Sequence, residues 1–501
     1  MLRHRTLALL CTLVAAGVAT SACAKKEAPA PAAETRATAP DGGKIPVTTA
    51  SAEARTEFLQ GRDLSEKLRI TDSIAHFEKA VSLDPNFALA ELNLANSSPS
   101  AKGFFEHLGK AVSLADKASE GERLQILAAE AGANNNPVKQ KEYLDRLLTA
   151  HPNDERAHFA MGGYYFGQQE FPQAIEHYRK ATELAPDYST AFNILGYAYR
   201  QNGDFENAEK SFQEYIELIP GDPNPYDSYA ELLLKMGRFE ESIAQYRKAL
   251  AIEPNFLASH FGIAADLMYM GKSDEAAAEI AQMTRKARND GERRTALFAQ
   301  TIVHVDRGQM GRGLAEVDKQ YSVAEKSGDA AAMAGDLNLK GNILLEMGKA
   351  GEAAAAFDRS LKLIEGSSLS EEIKNNNRRV SHFNRARVAL AKKDVAAAKT
   401  EAEEFRKGAD ASKNPAQVRL AHELAGMIAL AEKDYTKAVA ELELGNKQNP
   451  QNLYRLCEAY RGKGDASNAK AFCMQAAQFN SLPQLNYAFV RTKAKAGAEK
   501  G

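Results

Sequence analysis

STAFNILGYAYRQNGDFENAEKSFQEYIELIPGD occupies residues 189–222, and its pattern returns every 34 residues through residues 121–290. Segments beginning at Gly121, Glu155, Ser189, Pro223 and Leu257 align in several columns. A small-residue column reads Ala128, Gly162, Gly196, Ala230, Ala264. A bulky column reads Leu144, Tyr178, Phe212, Tyr246, Ile280. Pro152, Pro186, Pro220 and Pro254 form a third column, which lapses at Arg288. A fixed period of this length marks a solenoid of supersecondary units, none of which can bury its apolar face alone.

Each unit reads as two amphipathic helices. Phe192, Leu195, Gly196 and Tyr199 fall on one helical face. Asn202, Gly203 and Asp204 then supply a turn, and Gly203 accepts positive φ without steric cost. Ala208, Phe212 and Tyr215 line the second helix, which Pro220 stops. Gly196 and Ala208 let the two backbones approach, while Leu195, Tyr199 and Phe212 fill the space around that contact.

Phe192, Leu195, Gly196, Tyr199, Ala208, Phe212 and Pro220 resemble the tetratricopeptide repeat pattern, with Tyr215 where alanine is usual. Residues 223–256 match it through Tyr226, Leu233, Tyr246, Ala249 and Pro254. The usual tryptophan is absent throughout, and Phe, Tyr, His or Leu replaces it. The resemblance implies an all-α, right-handed superhelical solenoid of about eleven to twelve hairpins. Its expected divisions are repeats in residues 54–120 (the second degenerate at Asn96–Ser100), five regular repeats in 121–290, irregular repeats in 291–480, and a capping helix and tail in 481–501. That last helix is expected to turn Arg491, Lys493 and Lys495 to solvent, as terminal repeats need polar outer faces. Longer polar turns are expected between the later hairpins.

Ahead of the array, Arg3 and Arg5 precede an apolar run from Leu7 to Ala19, too short to span a membrane. Residues 1–22 therefore read as a signal peptide. Thr20, Ser21, Ala22 and Cys23 resemble a bacterial lipobox, with Thr20 where leucine is usual; that resemblance implies lipidation of Cys23. Ala24 after the cysteine favours, by the same analogy, the periplasmic face of a Gram-negative outer membrane. Ordinary cleavage and a soluble periplasmic protein is the alternative. Residues 23–50, with Pro29, Pro31, Pro40 and Pro46, read as an extended tether. About 26 such residues would reach on the order of 80 Å as a polyproline-like spacer.

Losing Arg3 and Arg5 lowers the 64 basic side chains to 62 against 66 acidic ones, so nothing supports nucleic-acid binding. Cys457 and Cys473 lie on the two helices of the last hairpin, where spacing allows either a disulfide or two buried thiols. His158, His260, His382 and His422 occupy one column of four repeats, where they stand in for the large aromatic residue. No metal, cofactor or catalytic constellation is expected. Members of the family hold extended peptides or partner helices against the first helices of successive repeats. Carried over by position, that implies a protein or peptide partner at Phe159, Phe166, Asn193, Tyr197, Arg200, Asp227 and Glu231, with Phe261 and Met268 beyond them. Asn338, Asn342, Asn384 and Arg387 form a second polar cluster that resembles part of a carboxylate clamp but lacks its lysine.

Overall fold

The computed structural model describes residues 43–499; the signal segment, Cys23 and the first part of the tether lie outside them. Among the described residues there are twenty-five α-helices and no strand. They form twelve consecutive hairpins and a final helix. Hairpins one to four pair α1 (Ala52–Glu66) with α2 (Ile70–Leu83), α3 (Ala88–Ser97) with α4 (Ala101–Leu114), α5 (Glu120–Ala133) with α6 (Pro137–Ala150), and α7 (Glu155–Gln168) with α8 (Phe171–Leu184). Hairpins five to eight pair α9 (Ser189–Asn202) with α10 (Phe205–Leu218), α11 (Pro223–Lys235) with α12 (Phe239–Ile252), α13 (Leu257–Tyr269) with α14 (Ser273–Lys286), and α15 (Asp290–Asp306) with α16 (Met310–Lys326). The rest pair α17 (Ala330–Glu346) with α18 (Ala350–Glu365), α19 (Glu371–Ala391) with α20 (Val395–Ser412), α21 (Pro415–Ala431) with α22 (Tyr435–Glu443), and α23 (Pro450–Lys463) with α24 (Ala466–Ala477). Last comes α25 (Leu485–Glu499).

Within a hairpin, the small column meets the bulky column sixteen residues later. A methyl group placed on Gly162 would stand 2.6 Å from the Tyr178 ring; on Gly196, 2.8 Å from Phe212; on Gly341, 2.4 Å from Phe357; on Gly426, 2.5 Å from Leu442. Contacts that short are repulsive, so each glycine is there to admit its partner. Cys457 and Cys473 stand the same sixteen residues apart in the last hairpin. They are joined as a disulfide with Cα atoms 5.1 Å apart. The covalent bond sits where the ring-on-glycine contact sits elsewhere.

The turn inside each hairpin is equally regular. Asn135, Gln169, Gly203, Gly237, Gly271, Gly308, Gly348, Lys393, Lys433 and Gly464 all have positive φ, and each follows the first helix of its hairpin. These positions fall 34 apart as far as Gly271, then 37, 40 and 45 apart up to Lys393. The added residues lengthen helices rather than the turns that the sequence suggested: α15 to α17 have 17, 17 and 17 residues and α19 has 21. The degenerate second hairpin is the exception. Its α3 stops at Ser97 after 10 residues, and Ser100 caps α4 through Gly103 N.

Two expectations need correction. Residues 43–50 are an ordered strap, not tether. Ile45 N donates to Asp154 Oδ2 (2.8 Å), Thr48 N to Glu122 Oε1 (2.8 Å) and Ala50 N to Asp84 Oδ2 (2.9 Å), so carboxylates from three hairpins satisfy an otherwise unpaired backbone. Nor is α25 only a polar cap: Lys493 and Lys495 are exposed as expected, but the helix also has a buried face. Leu485, Tyr487, Phe489, Val490 and Ala494 are buried, and Arg491 is ion-paired with buried Asp306. Its apolar side chains share one core with residues of hairpins six to nine.

The solenoid also meets itself after seven hairpins. Thr71 Oγ1 reaches Glu292 Oε1 (3.4 Å), joining hairpins one and eight; Lys102 N donates to Asp329 Oδ2 (3.2 Å), joining two and nine; Ser370 Oγ donates to Asn134 Oδ1 (2.7 Å), joining three and ten. Glu292, Asp329, Asn134 and Ser370 lie at or beside the ends of first helices, and Thr71 and Lys102 in the first turns of α2 and α4 just after the turn of their hairpin. The first helices therefore lie nearest the superhelix axis and form its inner wall.

Asp266, on α13, is fully buried and its carboxylate oxygens have no well-formed hydrogen bond among the described residues; the nearby Ser242 Oγ donates to Ala230 O (2.9 Å). Burial pushes its pKa up to about 8. A carboxyl whose folded pKa lies above its unfolded value costs nothing below about pH 4 and lowers stability as pH rises toward 8. Asp266→Asn should match the parent near pH 4 and exceed it by on the order of 2 kcal/mol or more near pH 8, read from urea unfolding at both values. Gly196→Ala should cost about 1–3 kcal/mol in the same assay, because overlap with Phe212 outweighs the gain in helix propensity. Reducing the disulfide removes a short-loop constraint of about 3 kcal/mol. Hydrogen exchange should then quicken in residues 450–499 and stay unchanged in residues 189–252.

Candidate functional site

Positions five, nine and twelve of each first helix point along the wall, and the sequence of α9, α11 and α13 makes that wall polar. Asn193, Tyr197 and Arg200 come from α9, Asp227 and Glu231 from α11, Phe261 and Met268 from α13. The structure brings these together, and all seven are buried. Arg200 Nη1 donates to Glu231 Oε2 (3.2 Å), linking adjacent hairpins, and its guanidinium lies 4.5 Å from the Tyr197 ring centroid. Asp227 Oδ1 accepts from Ser259 Oγ (2.7 Å) across the next seam. Two side chains placed on the wall by sequence do other work. Phe159 packs on Tyr178 and Tyr188 at 5.5 and 5.4 Å, and Phe166 on Phe171 at 5.6 Å, so both mainly hold hairpins four and five together.

Asn193 differs from its neighbours. It is 1% exposed, yet both Nδ2 and Oδ1 lack a hydrogen-bond partner among the described residues. Leaving a buried amide unsatisfied costs about 1–3 kcal/mol per group, so such a residue is retained for something that completes it. One donor and one acceptor on a flat amide match the N–H and C=O of an extended peptide.

The second polar cluster also assembles. Arg387 Nη1 donates to Asn342 Oδ1 (2.8 Å) and contacts Asn384 Oδ1 (3.4 Å), while Asn338 stands on the same helix as Asn342. Desolvation pulls the Arg387 pKa down to about 10, although the residue keeps some exposure. Sequence reading missed its acidic half. Glu423, buried and with its pKa raised by desolvation, accepts from Asn446 N (3.1 Å) and Asn449 Nδ2 (3.1 Å) and faces Arg455 at 3.5 Å. These groups come from four hairpins of unequal length, which hid their register. With carboxylate and guanidinium both supplied by the chain, the cluster is largely self-neutralised.

The histidine column has a structural use of its own. His260, His382 and His422 each place Nδ1 at 2.6–2.7 Å from a glutamate nineteen residues later, namely Glu279, Glu401 and Glu441. His158 meets His177 instead, at 3.2 Å, and burial lowers the His177 pKa, followed by the neighbouring His158 charge. The column thus ties first helix to second. Among the described residues, no three His, Cys, Asp or Glu side chains converge as a metal site would need, and no helix is long and apolar enough to cross a membrane.

With this geometry in hand, comparison with known proteins concentrates on the regular block. Two tetratricopeptide repeat family descriptions match, one at residues 141–189 and 159–223 and the other at residues 224–256. No curated protein shows a significant match. A solved tetratricopeptide repeat protein from Parabacteroides merdae is 15% identical, with 52% of this chain covering 100% of that one at a TM-score of 0.36. Two crystal structures of MamA are 21% and 22% identical; they align with 33% and 32% of this chain, cover 91% and 94% of their own, and give TM-scores of 0.29 and 0.28. Residues 141–256 are tetratricopeptide repeats, set in an all-α solenoid of helical hairpins.

Proposed function

We propose that this protein is a scaffold of the bacterial cell envelope that holds an extended segment of a protein partner along α9, α11 and α13. Tetratricopeptide repeats generally mediate protein–protein interaction, and here the unsatisfied amide of Asn193 carries the reading. The amide bonds the partner's backbone, while Arg200 and Glu231 set the charge it tolerates and Phe261 and Met268 take apolar side chains. On this reading the chain is a binder rather than an enzyme. Export and anchoring rest on the sequence alone: the basic start, the apolar run and Cys23 as the lipid-bearing residue. A soluble periplasmic adaptor with the same wall is the second reading, favoured by Thr20 in place of the usual leucine.

Asn193→Ala should weaken capture of the partner from detergent-solubilised membranes about tenfold, with helical circular dichroism unchanged. A partner retained equally by both forms would move the site off this wall. Membrane fractionation separates the two locations. Cys23→Ala should shift the protein from the membrane to the soluble fraction, and an unchanged distribution would leave only the soluble adaptor.

A further inference from the structure

Hairpin four breaks the rule of the histidine column. In hairpins seven, ten and eleven the first-helix histidine faces a glutamate on the second helix, a donor against a carboxylate. In hairpin four His177 stands where that glutamate would be, nineteen residues after His158. Two imidazole nitrogens, both Nδ1, therefore face each other at 3.2 Å.

The surroundings prepare this pair to bind something through those nitrogens. His158 Nε2 lies 3.1 Å from Pro152 O. A carbonyl oxygen only accepts, so Nε2 carries the hydrogen and Nδ1 of the neutral ring keeps its lone pair. Metal-bound histidines are fixed in the same manner, through the ring nitrogen that does not bind. Tyr165 stacks on His177 with centroids 5.5 Å apart and 19° between the planes, which holds the second ring in place. Burial, followed by the neighbouring His158 charge, lowers the His177 pKa and so keeps that ring neutral near pH 7. Glu176, Lys141 and Asp145 also act on His177, the last two as an ion pair at 2.8 Å. Both imidazoles are partly exposed, so an ion and its waters can reach them.

The spacing selects the ion. Zinc–imidazole bonds are about 2.0–2.1 Å long, so two nitrogens at the tetrahedral angle on one zinc stand roughly 3.3–3.4 Å apart. The pair in hairpin four is already close to that separation. We propose that His158 and His177 form a zinc-binding site, with both Nδ1 atoms as ligands. On binding, the His177 hydrogen passes from Nδ1 to Nε2 and both Nδ1 lone pairs turn to the ion, so the pair neither gains nor loses a proton. No third His, Cys, Asp or Glu joins the pair among the described residues. Water fills the remaining positions, and the ion exchanges with solvent instead of staying as a resident structural zinc. Bound zinc ties α7 to α8 where the other three hairpins use a histidine–glutamate pair. The site does not depend on any use of the wall of α9, α11 and α13.

Isothermal titration of zinc chloride into the untagged full chain tests this. The parent should bind zinc at neutral pH, and His177→Gln and His158→Phe should each weaken that binding about tenfold or more. Phe192 holds the position of His158 in hairpin five, so the second variant keeps the column's packing, with circular dichroism as the check. Glu401→His, which sets the same pair beside His382 in hairpin ten, should add one further equivalent of zinc. A parent that binds no zinc, binding undiminished in both ligand variants, or no added equivalent in Glu401→His would overturn the site.

Discussion

A bulky side chain pressed onto a backbone with no side chain of its own is the contact on which this molecule depends. Phe212 can lie against Gly196 only because that position carries no Cβ. The close approach fixes the angle between the two helices, which fixes how each hairpin sits on the next. The contact recurs at Gly61, Gly162, Gly341 and Gly426, with alanine at the same place in other hairpins, and the return of the chain on itself after seven hairpins is the accumulated result of stacking such units. In the last hairpin Cys457 and Cys473 occupy the same two positions, and a covalent bond holds the two helices together there.

The same regularity explains how a wall of mixed polarity is tolerated. Charges on the first helices are paired across seams, Arg200 with Glu231 and Arg455 with Glu423, so each hairpin needs its neighbour to neutralise its own wall. Removing one partner of such a pair is costly, typically about 3–5 kcal/mol. The charges of the wall are thus paired between hairpins, while the Asn193 amide lacks a partner among the described residues. A recognition surface of that kind selects by shape and backbone more than by charge.

Much of this was legible in the residues. The 34-residue columns give the hairpins, the turns and the inward positions, because each column is one physical contact repeated. Legibility fell where the contact joins residues far apart in the chain. Arg491 looks like a solvent-facing charge in isolation, and only the packing of α25 across hairpin eight brings Asp306 to it. Residues 43–50 read as tether because their partners, Asp84, Glu122 and Asp154, each serve as ordinary capping or helix-start residues in sequence. The longer helices after Asp290 broke the period, so Glu423 could not be placed opposite Arg387 and Arg455 without coordinates.

That both ends of the described chain fold back onto distant hairpins is the central claim, and zero-length carbodiimide cross-linking reads it most directly. Mass spectrometry should recover Lys493 joined to Glu346 and Lys44 joined to Glu155, which ion-pair here at separations of 147 and 111 residues. A solenoid that did not wind back, with a free N-terminal segment, would yield links only between neighbouring hairpins, and that result would contradict the account.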